Sequence, residues 1–337
     1  MPENKVLVGI SVGDVHGIGV EIIMNAFTKS NLLDKCIPIV FCPHQVFLDY
    51  LNQIKILESN ISFINSFDNI SENKINVFQI DGLKHKLNLG KPSKYSALIA
   101  FKSLEKCCFH LKNKKINALV TAPIDKYQIR KSVPNFIGHT EYLENQFDGK
   151  SLMVMLSEKM KIAFITSHIP LNKVSENIDE KKIINKTIQL NYSLKEDFNI
   201  SNPRIAVLAL NPHAGENDML GIEESTIISP AIRKLQEKEN IFAEGPFSAD
   251  SFFTEEKLSK YDGIIAMYHD QGLIPFKGLS FSNGVNYTAG LNTIRTSPVH
   301  GVAYDISGKK TANANSFIAA VNSACKIFIS RNSSKLY

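Results

Sequence analysis

The sequence lacks the marks of several large protein classes. Its five cysteines, at positions 36, 42, 107, 108 and 325, form no C-x-x-C pair. Disulfide frameworks and zinc ribbons are therefore not expected, and the compartment expected is a reducing cytoplasm. No apolar run approaches the roughly 18 residues a membrane span needs. The opening stretch "MPENKVLVGISVGD" has no basic segment followed by an apolar one, so neither a signal peptide nor a membrane association is expected. Charge of one sign is also scarce: 38 Lys and Arg face 33 Asp and Glu, a net +5. The lysines are scattered through stretches such as "LKNKKIN" and "DEKKIINKT", which read as solvated faces, so a nucleic-acid partner is not expected. There is no H-E-x-x-H, and no Gly-Lys-Ser/Thr follows the glycine loop Gly13–Gly19. "GDVHGIG" reads G-x-x-x-G-x-G with Val20-Glu21 behind it, which is a strand-to-helix turn and not a dinucleotide fingerprint.

What is present is an alternating pattern. Short β-branched or apolar runs occupy Lys5–Val12, Ile37–Cys42, Ile116–Val120, Leu152–Leu156, Ile162–Thr166, Ile205–Leu210 and Gly263–Met267. Helix-period segments lie between several of them. In "SALIAFKSLEKCCFHLKN", Leu98, Phe101, Leu104, Cys108 and Leu111 form one apolar stripe, and Cys107-Cys108 reads as packing. Strands alternating with helices predict an α/β protein with a largely parallel sheet. The runs 152–156 and 162–166 predict an antiparallel hairpin, so the sheet is expected to be mixed. A chain of 337 residues fits one large or two medium domains.

The polar residues that carry chemistry follow the strands. "NALV" runs into "TAPIDK", "IAFIT" into Ser167-His168, "IAVLAL" into Asn211-Pro212-His213, and "GIIAM" into Tyr268-His269-Asp270-Gln271-Gly272. Ligands of open α/β sheets bind outside the carboxyl ends of the strands. His168, His213 and His269 share that position, and three neutral imidazoles suit a divalent metal while leaving positions open for substrate. His44, His85 and His110 lack this context and read as structural or surface residues. His139-Thr140, Lys277, Asn286 and Arg295 are candidate anion contacts. Thr140 reads equally as a helix N-cap ahead of Glu141 and Glu144, and Lys277 and Arg295 equally as surface charges.

"GDVHGIGVEI", "TAPIDK", "GHTEYL", "SHIPL", "NPHAGE", "GPFSAD", "YHDQGLIPFK" and "RTSPVHGVAYDISGK" occur in this order across nearly the whole chain. Together they resemble the 4-hydroxythreonine-4-phosphate dehydrogenase family of vitamin B6 biosynthesis. The resemblance implies an isocitrate/isopropylmalate-dehydrogenase-like fold of two α/β/α domains with mixed, largely parallel sheets. The expected NAD-side domain is residues 1–140 plus 296–337. The expected metal and dimer side is 141–295, with the active site in a cleft between the two. The resemblance also implies a cytoplasmic homodimer whose subunits share the site and whose metal is held jointly by both chains. Its cofactors would be NAD or NADP and a divalent metal, zinc first, with magnesium, manganese or cobalt as alternatives.

Carried over residue by residue, the metal ligands fall on His168, His213 and His269. Substrate contacts fall on His139, Thr140, Lys277, Asn286 and Arg295. Lys277 and Asp270 are the candidate catalytic groups. Asp305 and Gly308 lie where this fold contacts NAD, and Asp250 is a further carboxylate expected near the histidines or the substrate amine. The implied reaction oxidises 4-phosphooxy-L-threonine at its 3-hydroxyl and decarboxylates the product to 3-amino-2-oxopropyl phosphate. The alternatives are a dehydrogenase of 4-phospho-threonate or 4-phospho-erythronate and, in another class, a phosphate acyltransferase of the same fold group.

Overall fold

The computed structural model describes residues 5–55, 60–81, 86–280 and 282–333. In chain order its strands are β1 (Val6–Ser11), β2 (Cys36–Phe41), β3 (Ile61–Ile64), β4 (Ile75–Phe78), β5 (Ala118–Thr121), β6 (Gly149–Leu156), β7 (Lys161–Phe164), β8 (Arg204–Leu208), β9 (Phe242–Phe247), β10 (Gly263–Ala266), β11 (Val285–Leu291) and β12 (Arg295–Pro298). The chain divides into two compact units. The first comprises residues 1–149 and 291–329, the second residues 150–290 and 330–337.

In the first unit the strands lie in the order β3-β4-β2-β1-β5-β12. Every pair is parallel, with registers such as Val8↔Pro38, Gly9↔Leu119 and Arg295↔Leu119. "VLVGIS" and "CIPIVF" are buried almost throughout, as parallel strands covered on both faces must be. The helix Lys94–Lys112 packs on β1, β2 and β5. Its first free amides are capped by Ser93, whose Oγ accepts from the Ser96 amide at 3.0 Å. Leu104, Cys107, Cys108 and Leu111 enter the core beside Phe41, Phe78 and Leu119. Leu98 and Phe101 sit at the edge of that face and are only half-buried, whereas Ala97 and Ala100 are buried.

The second unit orders its strands β11-β6-β7-β10-β8-β9. β7, β10, β8 and β9 run parallel, whereas β6 and β7 form the antiparallel hairpin, with Val154↔Ala163 in register. The sheet is therefore mixed, as the sequence implied. The helix Glu180–Phe198 packs against β7 and β10 and against the helix Ser229–Glu239. Asp179 caps it by accepting from the Lys182 amide at 2.8 Å. Near its end, Asp197 is 3% exposed and takes hydrogen bonds from Ser193 Oγ (2.5 Å), Tyr287 Oη (2.6 Å) and Arg331 Nε (2.6 Å). Among the described residues no helix is long and apolar enough to cross a membrane.

Candidate functional site

The parallel strands of the second unit end together, and polar side chains tie those ends. Thr166, just past β7, donates its hydroxyl to the Met267 carbonyl at 2.8 Å. Gln271 accepts the Met267 amide at 2.7 Å and donates to the Ala209 carbonyl at 2.6 Å, joining the end of β10 to that of β8. Gly272 allows the helix His269–Ser280 to lie against β7, since a Cβ there would stand 2.7 Å from Ile162 Cδ1 and 2.8 Å from Phe164 Cε1. In "YHDQG", then, Gln and Gly build the support and His and Asp face outward.

Two of the three candidate histidines meet on this support. The rings of His168 and His269 are 5.6 Å apart between centroids. Two imidazoles on one divalent ion, with metal–nitrogen bonds of about 2.0–2.1 Å, hold their centroids about 5 Å apart, so this pair fits two ligand positions. His269 Nδ1 lies 2.6 Å from Asp270 Oδ1. An ionised carboxylate only accepts, so in the neutral ring the proton sits on Nδ1 and Nε2 is left for a metal.

His213 stands on a different loop, within electrostatic reach of Asp250. Ser248 donates to the Asp250 carboxylate at 2.5 Å and, together with the nearby His213, holds it below the usual carboxylate range. Among the described residues, no group of three or more His, Cys, Asp or Glu side chains is arranged to hold a metal ion. The described residues thus pair His168 with His269 and leave His213 with Asp250.

The loop that carries His213 is strained. Six successive residues have left-handed φ: His213 50°, Ala214 53°, Gly215 80°, Glu216 43°, Asn217 58° and Asp218 70°. The left-handed region costs about 1–2 kcal/mol for an ordinary residue, so His213, Ala214 and Glu216 together store about 3–6 kcal/mol.

The first unit carries a cationic cluster. Arg295 is 3% exposed, a buried residue and not a surface charge, and its Nε and Nη2 donate to Thr121 Oγ1 at 3.1 and 2.7 Å. Burial pulls its pKa down to about 10, against Glu141 and Cys108. His139 opens the helix His139–Gln146, and its Nε2 is sealed from solvent without a partner. Burial, then Arg295 and Lys126, push its pKa well below the ordinary imidazole value. Lys126 Nζ lies 3.3 Å from where a Cβ on Gly138 would stand. A neutral imidazole with a sealed nitrogen, two cations and a helix start together suit an anion. The N-cap is Gly138, so Thr140 is not a cap: the extended backbone of Gly138 takes that position, and Thr140 lies inside the first turn.

The remaining candidates are more dispersed. Lys277 is exposed in the helix His269–Ser280, eight residues past His269 and so about 12 Å along the helix axis. Asn286, on β11, has a buried Oδ1 without a partner. Asp305 is exposed in the turn Tyr304–Ile306, and Gly308 follows with φ 76°. Beside them Tyr304 donates to Asp14 at 2.8 Å and lies 3.2 Å from Asp125, tying this segment to the loop after β1. In that loop His16 is buried and structural: Nδ1 meets the Lys91 carbonyl at 2.8 Å and Nε2 accepts from the Asn88 amide at 3.3 Å. His44 is likewise structural, its Nε2 on the Val77 carbonyl at 2.9 Å, and His85 lies outside the described residues. Sequence reasoning missed Gln271, Thr166 and Lys126. Lys126 stood in the motif "TAPIDK" and Gln271 in "YHDQGLIPFK", whereas Thr166 stood in neither.

Imidazoles at the carboxyl ends of parallel strands in one unit, and a buried arginine with His139 and Lys126 in the other, mark an α/β enzyme of the open-sheet kind. The family model described as "Pyridoxal phosphate biosynthetic protein PdxA" matches residues 34–324. The chain belongs to that family, one of oxidoreductases in pyridoxine biosynthesis. It is 40% identical to a Bacteroides thetaiotaomicron protein named 4-hydroxythreonine-4-phosphate dehydrogenase, covering 99% of this chain and 92% of that one. It is 32% identical to a Clostridium botulinum protein provisionally named a D-threonate 4-phosphate dehydrogenase, covering 97% and 98%. The crystal structure of the 4-hydroxythreonine-4-phosphate dehydrogenase of Klebsiella pneumoniae superposes with a TM-score of 0.85 at 30% identity, over 97% of this chain and 98% of that one.

Proposed function

We propose that the chain oxidises 4-phosphooxy-L-threonine at its 3-hydroxyl with NAD or NADP and decarboxylates the β-keto acid formed, giving 3-amino-2-oxopropyl phosphate. One observation carries this reading: His168 and His269 are paired at adjacent strand ends, in a chain whose whole length matches relatives of that name. His168, His213 and His269 would hold a divalent cation, zinc before magnesium, manganese or cobalt. When bound, that ion acts as a Lewis acid on a substrate oxygen, and the nicotinamide accepts the hydride.

The chain's own residues supply binding and proton handling. His139, Lys126 and Arg295 offer positive charge and a free imidazole nitrogen to the phosphate, with Thr140 adding a hydroxyl. Asp270 keeps His269 in the tautomer that leaves Nε2 open. Asn286 Oδ1, buried without a partner, suits a substrate N–H or O–H donor. Lys277 is assigned to take the proton of the 3-hydroxyl and to return a proton to carbon after carbon dioxide departs. Asp305 and Gly308 are assigned to the nucleotide. Because no group of three ligands occurs among the described residues of one chain, a homodimer that shares its metal is part of the proposal.

The relative named for D-threonate 4-phosphate favours a second reading, a dehydrogenase of a phosphorylated four-carbon sugar acid. A panel of 4-phosphooxy-L-threonine, D-threonate 4-phosphate and D-erythronate 4-phosphate, each with NAD and divalent metal, separates the two. Turnover of the amino acid at ten times the kcat/KM of either hydroxy acid is expected. The reverse order establishes the second reading.

A further inference from the structure

The left-handed turn that carries His213 is built around one buried carboxylate. Glu224 is 4% exposed and opens a single π turn, Glu224–Ile228, ahead of the helix Ser229–Glu239. Its Oε1 accepts the amides of Leu210 and Asn211, both at 2.8 Å, and its Oε2 accepts Asn211 Nδ2 at 2.9 Å. These are the last residues before Pro212-His213. On the far side the turn curls over the same carboxylate. A Cβ on Gly215 would stand 2.8 Å from Glu224 Oε2, so only glycine fits there. The turn is closed by Leu220, whose amide donates to the Gly215 carbonyl at 3.0 Å. Glu223 braces the outside, taking Asn211 Nδ2 at 2.8 Å and Ser175 Oγ at 2.5 Å.

An exposed turn in six successive left-handed residues has no tendency of its own to stay there. The hydrogen bonds at its base come from a charged acceptor shielded from water, where they are strongest. We propose that Glu224 is a positioning residue: its carboxylate holds the left-handed turn in place and so aims the His213 imidazole at the divalent ion. The inference rests on the reading of His213 as a ligand of that ion, and it adds the residue that makes His213 a preorganised one.

The test uses apo-protein and Co2+, with affinity measured by competition against a chromophoric chelator and geometry by the visible Co2+ bands. Wild type, Glu224→Ala, Glu224→Gln and His213→Ala are compared well below their melting temperatures. Amide hydrogen exchange is followed on metal-free protein. Glu224→Ala is expected to lose tenfold or more in Co2+ affinity, as loss of a partner that orients a ligand does. It should also lose exchange protection at Leu210 and Asn211. Glu224→Gln, which keeps an oxygen for both amides, is expected to stay within about threefold of wild type. If Glu224→Ala fails to fold, Glu224→Asp carries the expectation, since its shorter reach should cost at least about threefold.

Wild-type Co2+ affinity in the Ala or Asp variant, with His213→Ala weakened, overturns the positioning role alone, even if the melting temperature falls. Wild-type affinity in His213→Ala overturns the ligand reading, and the positioning role with it.

Discussion

Replacing His110 by leucine should change the pH dependence of stability more than stability itself. His110 is 9% exposed, and neither ring nitrogen has a hydrogen-bond partner. It stacks on Phe41 at 5.3 Å and 19°, with Phe67 at 4.8 Å and Phe78 and Phe109 each at 5.2 Å. Burial in this aromatic cage, then Lys106 and Lys115, lower its pKa from 6.5 to about 4. A base whose pKa is depressed by folding is bound to its proton more tightly in the unfolded chain. Its contribution is therefore intact above pH 6.5, declines as pH falls from 6.5 towards about 4, and is flat below that. Linkage gives a loss of about 2 kcal/mol between pH 8 and pH 5. Leucine has similar volume and no proton to bind. At pH 8, His110→Leu should lie within about 1 kcal/mol of wild type, because the two unpartnered nitrogens it removes were a cost. By urea denaturation, the variant should gain about 2 kcal/mol on wild type when the pH is lowered to 5. A wild-type-minus-variant difference that is the same at pH 8 and pH 5 refutes the reasoning.

Asp197→Ala leaves Tyr287 and the Arg331 guanidinium without their buried acceptor and should cost about 3–5 kcal/mol in the same denaturation assay; a loss below about 1 kcal/mol contradicts this. Gln271→Ala strips partners from the Met267 amide and the Ala209 carbonyl. It should cost about 1–3 kcal/mol and weaken Co2+ binding, and an unchanged Co2+ titration would show that the strand ends align without it. Arg295→Lys keeps the charge but not the fork on Thr121. It should raise KM for the phosphorylated substrate about tenfold or more, measured by steady-state kinetics, with equal KM counting against a phosphate role.

The strands that sequence revealed are those buried on both faces. "VLVGIS", "CIPIVF" and "GIIA" announce themselves because nothing polar interrupts them. β12, "RTSP", is four buried residues of which three are polar or charged, and pairing, such as its parallel register with β5, and not composition, makes it a strand. β11, "VNYTAGL", hides behind its Asn, Thr and Gly in the same way.

The histidine pair was legible because both members follow a strand, and parallel strands end on one side. Gln271 was not, since its partner Ala209 lies 62 residues away in the chain. Glu224 is one of two adjacent acids in "GIEES", and burial, not residue type, makes it the clamp. His110 follows the buried Cys107 by three residues, so the helical period could have placed it in the core.

The most direct measurement is NAD reduction by purified protein with 4-phosphooxy-L-threonine, before and after chelation, in wild type and His269→Ala. Formation of reduced nicotinamide should require substrate and divalent metal together, stop on chelation, return when metal is added back, and be lost in the variant. Turnover that persists in a metal-free protein, or in His269→Ala at the wild-type rate, would contradict it.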